Sequence, residues 1–172
     1  KFILGLAIAL AACNIASAKE YITLESSAGN TIVDENGGWI LGPYDNLHVD
    51  YMKASNTFVY GSFYENGQKR YVNLSNIAYL PAGYEYEFDY YYARALTDGG
   101  FKLVNSNGTY AIDDVVHNYS AINDKLILGQ KGDYWYLYNK TNGVQIMGNP
   151  IKDGWHNIEF YWSKNDKKNL FE

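Results

Sequence analysis

The stretch Gly83–Tyr92 reads GYEYEFDYYY and sets three carboxylates, Glu85, Glu87 and Asp89, at alternate positions. In an extended strand successive side chains leave on opposite sides. The three acids and Tyr91 would then share one face, and Tyr84, Tyr86, Phe88, Tyr90 and Tyr92 the other. Two carboxyls so placed could act as nucleophile and acid/base across a glycosidic bond, a job that retaining enzymes do with groups about 5 Å apart. They could equally accept hydrogen bonds from the hydroxyls of a bound sugar. The plain alternative is a solvated charged face on a strand whose rings fill the core.

Other chemistries find less footing. His48, His117 and His156 are the only histidines and lie far apart, so no HxH or HxxxH pair offers a zinc site. Asp113-Asp114 with Asn118, or Asn123-Asp124, could supply oxygen ligands to calcium, although turn-forming Asp and Asn account for both runs as well. Otherwise no cofactor is expected. The chain has no GxSxG element and no glycine-rich phosphate loop; Gly99-Gly100 reads as a turn.

Aromatic residues are the more distinctive resource. They make up 17% of the chain, with 18 tyrosines. Sugar C–H faces stack on exposed rings, and nearby Asn, Asp and Gln bond the hydroxyls. In Tyr90-Tyr91-Tyr92 and Tyr134-Trp135-Tyr136-Leu137-Tyr138 neighbouring rings must point to opposite sides, so a strand cannot bury all of them on one face. Trp39, Tyr91 and Trp135 are the stacking candidates, with Glu85, Glu87 and Asp89 as acceptors.

The charge balance bears on partners. With 14 Lys+Arg against 19 Asp+Glu, the net charge is −5 over 172 residues. A nucleic-acid partner is not expected, because such binding needs clustered positive charge to displace counterions. Residues 1–18, KFILGLAIALAACNIASA, join Lys1 to an apolar run and then to the small-x-small site Ala16-Ser17-Ala18. That layout predicts a secretory signal cleaved after Ala18, with residues 19–172 as one domain. The run is shorter than the roughly 20 residues that span a bilayer; a short buried helix or a membrane anchor is the alternative. Leu10-Ala11-Ala12-Cys13 also resembles a bacterial lipobox, in which Cys13 would carry the lipid. Both readings place the domain outside the cytoplasm, secreted or at the cell surface. No later segment reads as a membrane span, and no cysteine remains for a disulfide.

The elements that would position these residues are strands. After residue 19, runs rich in Tyr, Val, Ile, Phe and Trp alternate with Gly, Asn and Asp clusters. Expected strands are Tyr21–Glu25, Thr31–Val33, Trp39–Leu41, Leu47–Met52, Thr57–Tyr64, Lys69–Leu74, Tyr84–Ala93, Phe101–Asn105, Thr109–Ile112, Leu126–Gln130, Tyr134–Asn139, Val144–Met147 and Trp155–Ser163. Turns are expected at Glu65-Asn66-Gly67-Gln68, Asp98-Gly99-Gly100, Asn107-Gly108 and Asn142-Gly143, where Asn-Gly tolerates positive φ. The Asn-x-Ser/Thr triplets at Asn73, Asn107, Asn118 and Asn139 suggest strand ends near the surface. No internal repeat is evident. The pattern predicts an all-β, antiparallel β-sandwich or jelly roll.

Two resemblances follow. Glu85-x-Glu87-x-Asp89 is similar to the Glu-x-Asp-x-Glu strand of family 16 glycoside hydrolases, with the central and last residue types exchanged. Lys125–Lys164 resembles part of a concanavalin A-like or laminin G-like sandwich. Its carriers are Tyr134-Trp135-Tyr136-Leu137-Tyr138, Val144-Gln145-Ile146-Met147 and the Asp153-Gly154-Trp155-His156-Asn157-Ile158 run. The latter superfamily holds lectins, glycosidases, lyases and protein-binding modules, so the fold it implies leaves function open. The expectation is an exported, non-catalytic module for polysaccharide or a cell-surface glycan. A glycosidase or lyase using the strand carboxylates is one alternative. A structural, filament or adhesin subunit is the other, and self-assembly stays open.

Overall fold

The structure, a computed structural model, describes residues 20–51, 59–146, 150–152, 160–162 and 169–171. The leader with Cys13 lies outside the described residues. So do the expected strand ends at Met52, Thr57 and Met147, and most of the Trp155–Ser163 strand.

Among the described residues all regular structure is β, and no helix is long and apolar enough to cross a membrane. The first sheet joins β1 (Tyr21–Ser26), β2 (Gly29–Asp34) and β3 (Trp39–Tyr44). The second joins β4 (His48–Tyr51), β5 (Val59–Glu65), β6 (Gln68–Asn73) and β7 (Ala78–Tyr79). The third holds β8 (Tyr86–Phe88), β9 (Ala93–Thr97), β10 (Gly100–Val104) and β11 (Tyr110–Val116). The fourth holds β12 (Asn118–Ala121), β13 (Leu126–Lys131), β14 (Tyr134–Asn139) and β15 (Ile151–Lys152). A last pair joins β16 (Phe160–Trp162) to β17 (Asn169–Phe171). Every pairing is antiparallel, and neighbours within a sheet are consecutive in the chain.

Period-two alternation lets the second and third meanders bury both faces, while Ile22, Leu24 and Trp39 of the first stay exposed, and the sheets pack face to face in sandwich fashion. In β5, Val59 and Phe63 turn toward the first sheet and meet Ile32, Leu41 and Leu47. Tyr60, one residue along, turns the other way and stacks on Phe88 of the third sheet at 3.7 Å between ring centroids. The third and fourth sheets share a core of Tyr92, Phe101, Leu103, Ile112, Val116, Ile127 and Tyr138. Each such fully buried side chain contributes about 1.5–3 kcal/mol relative to exposure. On the far side of the fourth sheet Leu126, Leu128 and Leu137 form a further cluster, with Ile122, Trp135 and Ile151 against it.

The tight hairpins sit where the residues predict them. Asn66 and Gly67 take φ of 52° and 76°, the double positive φ of a type I′ turn. Several elements differ from expectation: the described part of the expected Val144–Met147 strand makes only an isolated bridge, Gln145 to Tyr138, and β7, β15 and β17 fall where no strand is expected. Two others are larger. Tyr84–Ala93 is not one strand: β8 ends at Phe88 and β9 begins at Ala93. The break is made by Asp89, whose Oδ1 accepts from the N–H groups of Tyr91 (3.0 Å) and Tyr92 (2.9 Å). Its own N–H donates to the Tyr92 carbonyl at 2.9 Å, closing a turn that competes with the sheet ladder. The other difference is β12, a strand begun by Asn118 that residue preference does not signal.

Candidate functional site

The meanders share a device at one end. The strand entering that end finishes on Asp34, Asn73 and Asn139 in the first, second and fourth sheets, and is followed at once by Asn105 in the third. Asn73 and Asn139 each accept, through Oδ1, the N–H two residues on, at Ser75 (3.0 Å) and Thr141 (2.9 Å). Asp34 does the same for Asn36 at 2.9 Å. The amide nitrogens reach across to the next sheet. Asn73 Nδ2 donates to the carbonyl of Ser106 (3.0 Å), and Asn105 Nδ2 to that of Lys140 (2.9 Å). Each recipient directly follows the corresponding asparagine of its own sheet. Asn76 adds a second bond to Ser106 O at 3.0 Å.

This chemistry explains the Asn-x-Ser/Thr triplets at Asn73, Asn107 and Asn139 as turns in which the side chain binds the backbone two residues on. Proximity to the surface is corrected for Asn73, which is only 1% exposed.

Between the third and fourth sheets the same end opens into a pocket of about 260 Å³, lined by Asn105, Ser106, Asn107, Thr109, Asp124, Lys140 and Thr141. Three turns build it, and Gly108 makes one of them possible. Its φ is +81°, and a Cβ there would collide with the Tyr79 carbonyl oxygen. Asn107 Oδ1 accepts from both the N–H (3.1 Å) and the hydroxyl (2.7 Å) of Thr109, which in turn receives Asn105 Nδ2 at 3.2 Å. The Lys140 ammonium leans over the Tyr92 ring, 5.4 Å from its centroid. Tyr92 is buried, and its ring lies 6.4 Å from that of Tyr91, which meets Tyr90 edge-on at 4.5 Å. Tyr91 is 60% exposed and Tyr90 43%. An exposed aromatic pair is thus linked, through the buried Tyr92 ring and Lys140, to a hydroxyl- and amide-lined pocket.

The expected site residues fall in several places. Glu85 and Glu87 alternate with inward rings as predicted, and their side chains are about two-thirds exposed. Glu85 accepts from the Tyr71 hydroxyl at 2.5 Å and lies 3.7 Å from Lys69 Nζ; Glu87 lies 4.0 Å from Arg94 Nη1. Neither lines the pocket. Asp89 is an interior strut. Besides closing its turn it accepts from the Tyr119 hydroxyl on β12 and lies 3.3 Å from Arg94 Nε, clamping the third sheet to the fourth. Burial, then the bond to Asp89, pushes the Tyr119 hydroxyl well above the usual phenol range. Tyr91 stands in the turn rather than on the acid-bearing strand. Trp135 packs half-buried against Leu126, Leu128 and Leu137. Trp39 is 65% exposed but begins β3 of the first sheet.

Apart from Asp124, the calcium candidates are otherwise engaged, Asn118 Oδ1 by the Tyr119 N–H at 2.9 Å. Asp113 pairs with Lys102 and Asp114 with Lys131, both at 2.8 Å, and Asp114 also accepts from Tyr138 at 2.9 Å. Lys131, followed by the Tyr138 hydroxyl, holds the Asp114 carboxyl below the usual range. Asn123 Oδ1 is taken by the N–H groups of Lys125 and Leu126. Among the described residues no three of His, Cys, Asp and Glu gather as a ligand set. Ser62 Oγ lies 3.1 Å from His48 Nε2 and 3.4 Å from Asp50 Oδ2, which resembles a nucleophile triad. It fails as one because serine and aspartate meet the same ring nitrogen, while Nδ1 faces the Asn46 carbonyl, and Ser62 is buried.

Sequence reasoning missed the pocket. Only the Asn and Thr turn signals pointed toward its residues, and three turns distant in the chain had to meet before they meant anything. No protein-family model matches the chain, and no curated protein matches it.

Proposed function

We propose that the chain is an exported, non-catalytic carbohydrate-binding module whose sugar site lies at the turn end shared by the third and fourth sheets. The observation that carries this reading is the exposed Tyr90–Tyr91 pair, linked through Tyr92 and Lys140 to a pocket of amide, hydroxyl and carboxylate groups. A sugar ring stacks its C–H face on Tyr91, and its neighbour's hydroxyls reach the polar pocket. Among the described residues the strand face bearing Glu85 and Glu87 is open, both side chains about two-thirds exposed, which favours binding over a glycosidase's enclosed carboxyl pair. The apolar leader supports export.

The test is a glycan array and titration calorimetry on the purified domain, with Tyr91→Ala beside the parent. An aromatic contact of about 0.5–1.5 kcal/mol predicts a loss of affinity of about twofold to thirteenfold. Tyr91 engages Asp89 through its backbone N–H, so the turn survives the change. An array with no bound glycan, or a variant that binds as the parent does, refutes the proposal.

A further inference from the structure

Resting on the carbohydrate reading, we infer that the pocket between the third and fourth sheets takes a single neutral sugar unit, held through adjacent hydroxyls, and rejects uronate and sulfated sugars. Several of the lining groups are already spent on one another. Asn105 Nδ2 is used twice, on Thr109 Oγ1 and Lys140 O. Asn107 Oδ1 is used twice, and the Thr109 hydroxyl donates to it. Among the described residues the lining groups left without a hydrogen bond are the Asn107 amide nitrogen, the Ser106 and Thr141 hydroxyls, the Asp124 carboxylate and the Lys140 ammonium, the last lying over the Tyr92 ring.

That set is a hydroxyl reader. A free carboxylate accepts from neighbouring O–H groups in charge-assisted bonds, the stronger kind, while amide and ammonium N–H groups donate to hydroxyl or ring oxygens. The two lining charges cancel, and Lys140 already has a partner in the Tyr92 ring. An anionic sugar would bring its charge against Asp124 in a chain of net charge −5. Size sets the count. A volume of about 260 Å³ lies below the roughly 300–1,000 Å³ of sites for drug-sized ligands, so one ring enters and further units pass outward over Tyr91.

The experiment titrates the intact protein with a neutral panel (starch, β-glucan, xylan, mannan, galactan) and an acidic panel (pectate, alginate, heparin) at low and high salt. The expected result is binding to a neutral polymer that changes less than about twofold with salt. Asp124→Asn, an exposed position, should weaken that binding by at least about fivefold, as befits loss of a charged acceptor, without lowering the melting temperature. Preference for an acidic polymer, weakened by salt, overturns this inference and leaves the carbohydrate reading standing. Neutral binding that ignores Asp124→Asn also overturns it. Absence of binding in both panels removes the carbohydrate reading with it.

Discussion

Asn73 offers the sharpest test of how the sheets are held together. It is 1% exposed, accepts from Ser75 N–H through Oδ1 and donates from Nδ2 to the Ser106 carbonyl. Asn73→Asp keeps the shape and the acceptor but sets a second oxygen against that carbonyl. An ionised carboxylate in this dry position is unfavourable, whereas a protonated one restores a donor toward Ser106. The folded-state pKa of the new group is therefore raised above its unfolded value. The penalty is absent below the unfolded pKa, about 3.9, and grows by about 1.4 kcal/mol per pH unit until the folded pKa is passed. If the group stays protonated up to pH 7, the loss relative to the parent reaches about 4 kcal/mol there and about 1.5 kcal/mol at pH 5. Urea titrations of both proteins at matched pH, followed by tryptophan fluorescence, measure the difference directly. A difference below about 1 kcal/mol at pH 7, or one that does not change with pH, would show that the asparagine bridge is neither dry nor structural.

Two further outcomes follow from the same geometry. Gly108→Ala forces an L-residue into positive φ, about 1–2 kcal/mol from the backbone alone, and drives a methyl against the Tyr79 carbonyl. The melting temperature should fall by about 2–4 °C per kcal/mol lost, and an unchanged value would mean that the turn relaxes freely. Lys131→Met removes the main cause of the depressed Asp114 carboxyl. Because that carboxyl is depressed in the folded state, its contribution is present above the unfolded pKa and lost as pH falls through the folded one. The variant should therefore show a flatter loss of stability in acid and an upward-shifted Asp114 titration by NMR, and an Asp114 titration identical to the parent's would contradict the pairing.

The strands were largely legible because two signals agree on them. Alternating aromatic and β-branched residues mark Tyr21–Ser26 and Tyr134–Asn139, and Asn66-Gly67 marks the hairpin between β5 and β6. Strand preference failed at Asp89, where one carboxylate turns the chain inside a run of excellent strand formers. The succession of meanders was invisible for a related reason. What recurs is a role, an Asx side chain ending a strand and in two cases reaching the next sheet, at uneven spacing among dissimilar neighbours. Residue type also could not separate exposed rings from packed ones. Trp39 and Trp135 read alike, yet one is exposed and the other lies against three leucines.

The chain-order stacking of the sheets has a consequence for how the molecule comes into being. Most strands of a meander join the next through a short turn, so little loop entropy is lost before the ladder forms. A newly made segment need wait only for the next one to cover its exposed side, not for the far terminus. Assembly can thus keep pace with the chain as it is made. A whole sheet can also be duplicated or deleted without any strand being threaded through another.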